Sequence, residues 1–497
     1  MIQTFQTPPQ AAQWLREMVT GQLHIDSRKV KQGDGFFAWP GLTQDARQYV
    51  AQAISQGASA CLVEAKGIEQ FSWIQDETRV GVYTDLKQAC GPMADAYFES
   101  PSQNLQMLAV TGTNGKTSTA WWLSHALSRT GQRCAVVGTL GMGEAHQLHI
   151  TGMTTPDPLQ LQAQLRQWVD DGVKACAIEA SSIGLNEHRL DGTQLKIAIF
   201  TNFTQDHLDY HGNMAAYWQA KSKLFAWPNL QAAIINVDDA YGHALATQLQ
   251  AEQGQTLTEV WTISMRSGAR LRAQFVQIGE NGLEFEVVEG DEVHLMKTNL
   301  VGEFNVLNLL GVLAAMRALG VELSQAIKAC HQLPSVPGRM QSLGGSQKPC
   351  VVIDYAHTPD ALMQALKALR PMTSAREGQL HCIFGCGGDR DPSKRAPMAK
   401  AAEDGADVIV LTSDNPRSEQ PQHIIAHMVD GLSDLSKAII CIDRAEAIAQ
   451  TIEKAKPQDV ILIAGKGHED YQEIKGVKIP FSDEKKALAA LSLWGSA

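Results

Sequence analysis

Apolar runs of strand length alternate with helix-length amphipathic segments along most of the chain. In the first half, these runs cover residues 105–110, 134–137, 175–178, 197–200 and 232–235. Buried strands that are separated by helical segments are typical of parallel sheets covered by helices. The pattern therefore predicts an α/β fold with a mostly parallel sheet in this part of the chain.

The alternation changes between residues 260 and 300, where shorter segments predict an antiparallel ribbon. Its turn candidates are Glu280-Asn281-Gly282 and Glu289-Gly290-Asp291. Helical patterns follow at 305–319 and 324–333. A second α/β series then begins, and its apolar runs cover residues 350–353, 380–384, 408–411, 438–441 and 460–464. This series predicts a C-terminal parallel sheet.

The segment 333–348 is rich in Pro, Gly and Ser, which is typical of a linker. We place a domain boundary near Gln341. The chain before Pro101-Ser102 has short apolar segments of its own and forms a further unit. At roughly 150 residues per domain, the 497-residue length also favours about three domains. The sequence thus predicts domains at residues 1–103, 104–341 and 342–497.

Composition narrows the possible functions. Hydrophobic residues make up 44% of the chain and charged residues 19%, as in ordinary globular proteins. A formal charge of −11 argues against a nucleic-acid binder, because that role usually needs a basic surface. No signal-like segment opens the chain, and the longest strongly apolar helical stretch, 309–316, is far shorter than the ~18 residues of a membrane span. We expect a cytoplasmic protein without membrane insertion.

The nine cysteines are scattered and include no C-x-x-C pair, so we expect buried thiols. His381, Cys382 and Cys386 could form a metal site. Zinc sites usually have a second closely spaced pair of ligands, which is missing here, so core packing is the favoured interpretation.

The segment from Thr111 to Ser118, T-G-T-N-G-K-T-S, carries the clearest chemistry. Its glycines allow backbone N–H groups to converge on phosphate oxygens, Lys116 adds a cation, and Thr117 can reach Mg²⁺. Two residues separate Gly112 from Gly115, whereas the Walker pattern has four, so a simple glycine-rich turn is the alternative. The preceding strand, the Gly-Lys-Thr tripeptide and the following helical pattern together favour nucleotide binding.

This shortened loop resembles the ATP site of the Mur ligase family and of the related folylpolyglutamate synthases. Further motifs of the family follow in the same order: Asp26-Ser27-Arg28, Thr154-Thr155-Pro156-Asp157, Glu179-Ala180-Ser181-Ser182, Thr201-Asn202, Asp206-His207-Leu208-Asp209-Tyr210-His211-Gly212, Gly302-Glu303-Phe304-Asn305, Pro337-Gly338-Arg339-Met340 and Asp354-Tyr355-Ala356-His357. They span nearly the whole chain. The resemblance implies an N-terminal UDP-binding α/β unit, a central P-loop-type ATPase domain and a C-terminal Rossmann-like domain.

The resemblance also implies an ATP-dependent amide ligase of peptidoglycan precursor synthesis. Such an enzyme transfers the γ-phosphoryl group of ATP to a carboxylate, and an amine then attacks the acyl phosphate. All the reacting oxygens are anionic, so divalent cations, assumed to be Mg²⁺, and fixed donors are expected. The catalytic residues implied are Lys116, Glu179, His207 and Lys221. The metal contacts implied are Thr117, Glu179, His207 and Lys221 as a carbamate.

Several of these residues have a plainer interpretation. Glu179 could be a solvated strand-end residue, His207 a core histidine and Lys221 a surface lysine. The family places a carbamylated lysine (N6-carboxylysine) at the Lys221 position, where CO₂ addition converts a cation into a carboxylate. Asp209 and His211 could simply cap and turn the chain.

The resemblance implies ATP contacts from both the central and the C-terminal domain. They are Gly112, Thr113, Asn114, Gly115, Lys116, Thr117, Ser118, Asn305, Arg339, Asp354 and His357. Asn305 could instead be a helix N-cap and Arg339 a linker cation. A site assembled from two domains would close by a hinge motion on binding.

The N-terminal unit resembles the UDP-binding domain of the tripeptide-forming ligases. The UDP-substrate contacts implied are Ile25, Ser27, Leu42, Thr43, Gln44, Thr154, Thr155, Ser181, Glu187 and Arg189. The family often has His-Gln-Ala where this chain has Leu42-Thr43-Gln44, so backbone contacts are expected there. Glu187 and Ile183 stand at positions often filled by Gln and His.

The segment Asp414-Asn415-Pro416-Arg417 follows a predicted strand. A carboxylate and a guanidinium on a Pro-stiffened turn can bind an ammonium and a carboxylate together. An exposed Asn-Pro turn is the alternative. Because this string resembles the family's meso-diaminopimelate motif, the resemblance implies diaminopimelate contacts from Arg390, Asp414, Asn415, Pro416, Arg417, Gly465 and Glu469.

We therefore expect a ligase that joins meso-2,6-diaminopimelate to the D-glutamyl γ-carboxylate of UDP-N-acetylmuramoyl-L-alanyl-D-glutamate. The alternatives are a ligase for another amino acid such as lysine, a folylpolyglutamate synthase, and a nucleotide-binding regulatory or scaffold protein that has lost catalysis. The D-N-P-R string and the UDP-type N-terminal unit argue against the first two. Intact Lys116, Glu179, His207 and Lys221 argue against the third.

Overall fold

The computed structural model describes residues 3–41, 44–252, 257–266, 268–280, 282–345 and 347–495. The chain divides into two compact units. The first consists of Met1–Thr262 with Ala318–Gly320, and the second of Ile263–Arg317 with Val321–Ala497. The fold is α/β with parallel sheets, as predicted.

The first unit begins with a parallel sheet in the order β1-β5-β4-β3-β2. Its strands are β1 (Gln3–Thr4), β2 (Leu23–His24), β3 (Gly35–Ala38), β4 (Ala60–Glu64) and β5 (Val80–Tyr83). The accompanying helices are α1 (Pro8–Met18), α2 (Val50–Ser55) and α3 (Leu86–Tyr97). All residues of β3 and β4 are buried. Separate apolar clusters, one including Leu15 and Leu62 and the other Phe36 and Val63, complete the core.

A second sheet of this unit has the order β12-β11-β6-β10-β7-β8-β9. Its strands are β6 (Gln106–Thr111), β7 (Cys134–Gly138), β8 (Gly141–Glu144), β9 (Gln147–His149), β10 (Ala175–Glu179), β11 (Ile197–Phe200) and β12 (Ala232–Asn236). The helices between them are α4 (Lys116–Arg129), α5 (Pro158–Asp170), α6 (Ser182–Asn186), α7 (Leu208–His211), α8 (Met214–Ser222) and α9 (Ala240–Ala251). Five of these strands pair in parallel, and they coincide with the five apolar runs that predicted strands here: β6, β7, β10, β11 and β12.

Helix α3, which accompanies the N-terminal sheet, lies directly against the part of the same unit that contains the second sheet. A Cβ on Gly91 would stand 2.0 Å from the carbonyl oxygen of Asp191, so glycine permits this close approach. The Lys87 ammonium lies 2.6 Å from the Glu187 carboxylate. Leu159 of α5 belongs to the N-terminal core. These contacts fix the N-terminal sheet beside the strands that carry the candidate site.

The second unit contains the predicted ribbon and two helices. Strand β13 (Glu259–Ser264) ends in this unit, where Ile263 pairs in parallel with Leu271 of β14 (Leu271–Gly279). Strands β14, β15 (Gly282–Glu289) and β16 (Glu292–Thr298) pair antiparallel, which confirms the ribbon. Of the predicted turn residues, Asn281 lies outside the described residues. Helices α10 (Phe304–Ala318) and α11 (Leu323–Cys330) follow.

The C-terminal sheet of this unit has the order β17-β18-β22-β19-β20-β21, and only β17 is antiparallel to its neighbour. Its strands are β17 (Gln341–Gly344), β18 (Cys350–Asp354), β19 (Leu380–Phe384), β20 (Val408–Leu411), β21 (Ala438–Ile440) and β22 (Val460–Ala464). The flanking helices are α12 (Pro359–Ala375), α13 (Arg395–Gly405), α14 (Pro421–Val429), α15 (Arg444–Lys454) and α16 (Asp483–Leu493). A hairpin of β23 (Tyr471–Ile474) and β24 (Val477–Pro480) precedes α16. The segment predicted to be a linker therefore contains strand β17.

Eight cysteine side chains are buried and Cys441 is partly exposed. Cys386 contacts Met398 across 3.6 Å between sulfur atoms, and Cys382 is fully buried, which supports core packing. Within the described residues, no group of three or more His, Cys, Asp or Glu side chains is arranged to hold a metal ion. None of the helices described is long and apolar enough to cross a bilayer.

Candidate active site

The predicted phosphate loop joins β6 to the N-terminus of α4. Gly112 and Gly115 have φ values of 146° and 84°, a backbone region that favours glycine. A Cβ on Gly112 would also stand 1.9 Å from the Thr201 hydroxyl oxygen. Both glycines are therefore required by the backbone, and the loop leads into the positive end of the α4 dipole.

The segment after β11 holds this loop in place. The Thr113 N–H donates to the Asn202 carbonyl oxygen at 2.8 Å, and the Asn114 N–H donates to Asn202 Oδ1 at 2.9 Å. The Thr201 hydroxyl donates to the Asn114 carbonyl oxygen at 2.6 Å. The loop is thus ordered by protein contacts. Its bracing residues, Thr201 and Asn202, were visible in the sequence only as a family motif.

Two lysines converge on one carbonyl oxygen of the loop. Lys116 Nζ lies 2.8 Å from the Gly112 carbonyl oxygen, and Lys221 Nζ, from α8, lies 2.7 Å from the same atom. Lys221 is only 1% exposed. Burial, helped by the nearby positive charge of Lys116 and opposed by Asp206, lowers the pKa of Lys221 to about 6. Lys221 is therefore not a surface lysine, and its amine is mostly neutral at pH 7.

Glu179 lies at the end of β10 and is 1% exposed, so it is not a solvated strand-end residue. One carboxylate oxygen accepts the Thr117 hydroxyl at 3.0 Å, and the other accepts the Thr139 N–H at 2.8 Å. A Cβ on Gly138 would stand 2.0 Å from that second oxygen. The fold brings the predicted metal contacts Thr117 and Glu179 together. Thr139 is a further contact, which no motif in the sequence indicated.

His207 precedes the short helix α7 with a positive φ of 51°, and its side chain is 44% exposed. It is therefore not a core histidine. Its ring centroid lies 6.1 Å from that of Tyr217, which also contacts His211. His211 Nε2 lies 3.0 Å from the Ser182 hydroxyl, and burial lowers the pKa of His211, with smaller contributions from His207 and Lys221 and an opposing one from Asp209. Asp209 is exposed.

The predicted substrate residues of the central region form one network with Glu179. The Thr155 hydroxyl donates to the Glu179 carbonyl oxygen at 2.7 Å and lies 2.9 Å from the Ser181 hydroxyl. Arg189 donates to the Thr155 carbonyl oxygen at 2.9 Å. Thr154 joins through its hydroxyl, which lies 3.1 Å from that of Thr139.

Glu187 has other partners. Its carboxylate pairs with Lys87 at 2.6 Å and accepts the Tyr210 hydroxyl at 2.5 Å. Ile183 lies on α6 and is partly exposed. Glu187, which stands where the family often has Gln, thus forms an ion pair with Lys87 of helix α3.

The N-terminal candidates are only partly described. Ser27 is buried and Ile25 is half-buried. The Gln44 carbonyl oxygen accepts the Gly41 N–H at 2.8 Å, and the Gln44 side-chain oxygen accepts the Tyr49 hydroxyl at 3.0 Å. Leu42 and Thr43 lie outside the described residues.

The second unit carries the remaining ATP candidates. The Asp354 carboxylate accepts the N–H groups of Met340 and Ala356, both at 2.9 Å, and burial raises its pKa against the opposing effect of Arg339. The Arg339 guanidinium stacks 4.9 Å from the centroid of the Tyr355 ring. His357 Nδ1 lies 2.9 Å from the Tyr355 carbonyl oxygen.

Asn305 is 3% exposed and lies in the first turn of α10. Its amide donates to the Val301 carbonyl oxygen at 2.7 Å and accepts a hydrogen bond from Asn308 at 2.9 Å. Because α10 already begins at Phe304, the N-cap interpretation of Asn305 is wrong. The side chain instead ties the helix start to the preceding loop.

The residues predicted to bind the incoming amino acid lie together, in the segments that follow β20 and β22. The Asn415 amide donates to Glu469 Oε2 at 2.9 Å, and Arg417 donates to the Gly388 carbonyl oxygen at 2.7 Å. A Cβ on Gly465 would stand 2.6 Å from Asp414 Oδ2, and one on Gly388 would stand 2.0 Å from the Pro416 carbonyl oxygen. The exposed Arg390 belongs to the same loop as Gly388. This clustering argues against a simple exposed turn.

The hairpin β23–β24 fastens this loop and is a feature that the sequence interpretation missed. The Arg417 N–H donates to the Glu473 carbonyl oxygen at 3.0 Å, and the Lys475 N–H donates to the Arg417 carbonyl oxygen at 2.6 Å. Arg417 also pairs with the Glu473 carboxylate at 3.3 Å. These contacts hold Arg417 at a φ of 51°, a conformation that non-glycine residues seldom adopt.

Comparison with known proteins defines the class. The Mur ligase middle domain matches residues 110–316, and the family described as Mur ligase, glutamate ligase domain, matches residues 338–467. The chain belongs to the Mur ligase family.

Individual relatives cover nearly the whole chain. A UDP-N-acetylmuramoyl-L-alanyl-D-glutamate--2,6-diaminopimelate ligase of Acidovorax sp. (strain JS42) is 52% identical over 99% of both chains. The protein of that name from Pseudomonas aeruginosa (strain PAO1) is 44% identical over 96% of both.

Solved structures agree with this assignment. A structure of a ligase with the same name has a TM-score of 0.71 and 37% identity, and the match covers 95% of this chain and 94% of that one. MurF from Acinetobacter baumannii, at 19% identity, shares the fold with a TM-score of 0.67 over 97% of this chain and 98% of that one.

Proposed function

We propose that this chain is an ATP-dependent amide ligase that adds meso-2,6-diaminopimelate to the D-glutamyl γ-carboxylate of UDP-N-acetylmuramoyl-L-alanyl-D-glutamate. The reaction is a step of peptidoglycan precursor synthesis. The observation that carries the proposal is the cluster of Asp414, Asn415, Arg417 and Glu469, in a chain that is 52% identical to a ligase of that name. Because its substrates include ATP and a UDP-sugar, we also propose a cytoplasmic location.

The chemistry proceeds in two steps. A γ-carboxylate oxygen attacks the γ-phosphorus of ATP, so that an acyl phosphate forms and ADP leaves. The amine of the incoming amino acid then attacks the acyl carbon, phosphate leaves with the bonding electrons, and the amine loses a proton. Lys116, at the phosphate loop, is the cation that offsets charge on the transferred group.

Thr117, at the start of α4, and Glu179, at the end of β10, fit a divalent cation. The Thr117 hydroxyl and the Glu179 carboxylate are oxygen donors 3.0 Å apart, and hard cations such as Mg²⁺ bind oxygen. Thr117 and Glu179 would hold the ion, with His207 and carbamylated Lys221 as further proposed contacts. When bound, Mg²⁺ would neutralise phosphate charge. Thr139 keeps the Glu179 carboxylate oriented toward Thr117.

Two features of Lys221 support its modification. Only an unprotonated amine adds CO₂, and the pKa of Lys221 is lowered to about 6. The addition forms a C–N bond and releases a proton. It also places an anion, where a neutral amine stood, beside the Lys116 cation. We propose that the carbamate is the working form of the residue.

Specificity for diaminopimelate would come from the second unit. Diaminopimelate carries an ammonium and a carboxylate at the end that does not react. Asp414 and Glu469 supply negative charge for the ammonium, and the Arg417 guanidinium suits the carboxylate. Lysine has no second carboxylate, so Arg417 would gain nothing from it. Arg390, Pro416 and Gly465 complete the proposed contacts.

The contacts that we propose for ATP and for the UDP-substrate are among those that the family resemblance implied. Asn305, Arg339, Asp354 and His357, with the loop from Gly112 to Ser118, are proposed to contact ATP. The UDP-substrate would contact Ile25, Ser27, Gln44, Thr154, Thr155, Ser181 and Arg189. For Glu187 we propose an indirect role, since its carboxylate already pairs with Lys87. The domain boundaries at 103/104 and 341/342 remain part of the proposal.

Product analysis tests this function. Purified protein is incubated with ATP, Mg²⁺, bicarbonate, the UDP-dipeptide, and either meso-diaminopimelate or lysine. The expected product has the mass of the diaminopimelate-containing UDP-tripeptide. Equal saturation by lysine and diaminopimelate would contradict the amino-acid assignment. ATP binding without any peptide product would favour a scaffold protein instead.

A further inference from the structure

Lys466 follows β22 and its side chain is 0% exposed. Its ammonium donates to Asn415 Oδ1 and to Glu469 Oε2, both at 3.1 Å. Its Nζ also lies 5.5 Å from the centroid of the Tyr471 ring. Removing an ammonium from water is unfavourable unless it is paired and hydrogen-bonded, so these partners account for its position.

The Lys466 contacts determine how the Asn415 amide is oriented. Asn415 Oδ1 accepts from Lys466 and from the Glu473 N–H at 2.9 Å, while Nδ2 donates to Glu469 Oε2 at 2.9 Å. Two donors meet the oxygen end and an acceptor meets the nitrogen end. A flipped amide would place its NH₂ group against both donors. Lys466 thus helps to fix one orientation of a proposed substrate contact.

Lys466 also offsets negative charge. The Asp414 carboxylate is buried, and burial raises its pKa, while Arg444 and Lys466 oppose that shift and Glu469 and Asp483 add to it. Arg444 is already paired with Asp483 at 2.7 Å, with both side chains fully buried. Lys466 is therefore the cation placed to balance Asp414 and Glu469.

We propose that Lys466 is a positioning residue for amino-acid recognition, which orients Asn415 and Glu469 and stabilises the carboxylates that receive the substrate ammonium. This inference rests on the proposed function. The chemical class that it selects is an amino acid with a second ammonium group. Lys466 itself is buried and paired, so it acts through Asn415 and Glu469.

The test is the effect of Lys466→Met on the three substrates separately. Losing the cation should raise the KM for meso-diaminopimelate roughly 10- to 100-fold, since a buried charge partner is removed. The KM values for ATP and the UDP-dipeptide should stay within about threefold of the parent values, because their proposed contacts are left intact. Lys478→Met is the matched control, since Lys478 is exposed on the hairpin β23–β24 and its Nζ lies 4.1 Å from the centroid of the same Tyr471 ring. It should keep all three parent KM values.

Two outcomes would overturn the inference: a parent KM for diaminopimelate in folded Lys466→Met, or equal rises for all three substrates. If Lys466→Met does not fold, Lys466→Arg and Lys466→Gln separate charge from hydrogen bonding. We expect the arginine variant to have the lower diaminopimelate KM, and the reverse order would contradict the inference. If the parent protein makes no diaminopimelate product, the proposed function fails instead.

Discussion

Lys221 and Lys466 are both almost completely buried, yet their surroundings differ. Lys221 shares the Gly112 carbonyl oxygen with Lys116, and its pKa is lowered to about 6. Lys466 lies 3.1 Å from the Glu469 carboxylate. The first environment favours a neutral, reactive amine, whereas the second holds the amine between hydrogen-bond acceptors on Asn415 and Glu469. The charge that lies beside a buried lysine therefore decides what its amine can do.

The largest expected effect is at Lys221. Lys221→Ala removes the proposed carbamate, so we expect turnover to fall by about 100-fold or more, as when a fixed charged group at a reaction centre is lost. Adding a small carboxylate such as formate should restore part of the activity. Lys223→Ala, an exposed lysine of the same segment, is the control and should retain parent turnover. Unchanged activity in Lys221→Ala would show that the carbamate is not needed.

Arg417→Ala should weaken diaminopimelate binding by about 2 to 5 kcal/mol, because it removes the group proposed to pair with the distal carboxylate. The measurement is the KM for diaminopimelate at saturating ATP and UDP-dipeptide. Lys475→Ala serves as the control, since only its backbone N–H contacts Arg417. A variant that still binds diaminopimelate as the parent does would remove Arg417 from the account.

The pH dependence of CO₂ addition distinguishes Lys221 from Lys466. Because the pKa of Lys221 is lowered to about 6, its amine is neutral above that pH and becomes protonated below it. We expect a ¹³C carbamate signal from ¹³CO₂-equilibrated protein at pH 8, and its loss as the pH falls through about 6. Lys221→Ala should lack the signal and Lys466→Met should retain it. A signal that survives in Lys221→Ala would come from another amine.

Thr139→Val should have the smallest effect. The Thr139 hydroxyl lies 3.4 Å from the Glu179 carboxylate, whereas its N–H contact at 2.8 Å is retained in the variant. We expect turnover to fall by about threefold, as for a weak hydrogen bond. Thr117→Val, which removes the hydroxyl 3.0 Å from Glu179 and a proposed metal contact, should cost more. The opposite order would show that Thr139 has the larger role.

The sequence predicted the parallel strands well because their apolar runs are continuous. It missed β8 and β9, since Gly141-Met142-Gly143-Glu144 has no strand-like pattern, and it took the residues of β17 for part of a linker. Such short strands, at a sheet edge or next to one, form through pairing with a neighbour, which local composition does not encode.

In the candidate site too, residues that form a local sequence motif were predictable, and residues brought together by the fold were not. Gly112, Lys116 and Thr117 were recognisable because adjacent residues form the phosphate loop. Thr139, Lys466 and the hairpin β23–β24 were not, because their roles arise from contacts with Glu179, Asn415 and Arg417 that only the fold creates. The burial of Lys221 likewise could not be seen in a helix whose sequence resembles a surface pattern.

Phosphate release with each substrate omitted in turn is the most direct test of the proposed ligase activity. With ATP, Mg²⁺ and bicarbonate present, the account predicts rapid release only when both the UDP-dipeptide and meso-diaminopimelate are added, because phosphate leaves when the amine attacks the acyl phosphate. Release that is equally fast without the amino acid, or without the UDP-dipeptide, would contradict a ligase that couples ATP cleavage to formation of this amide bond.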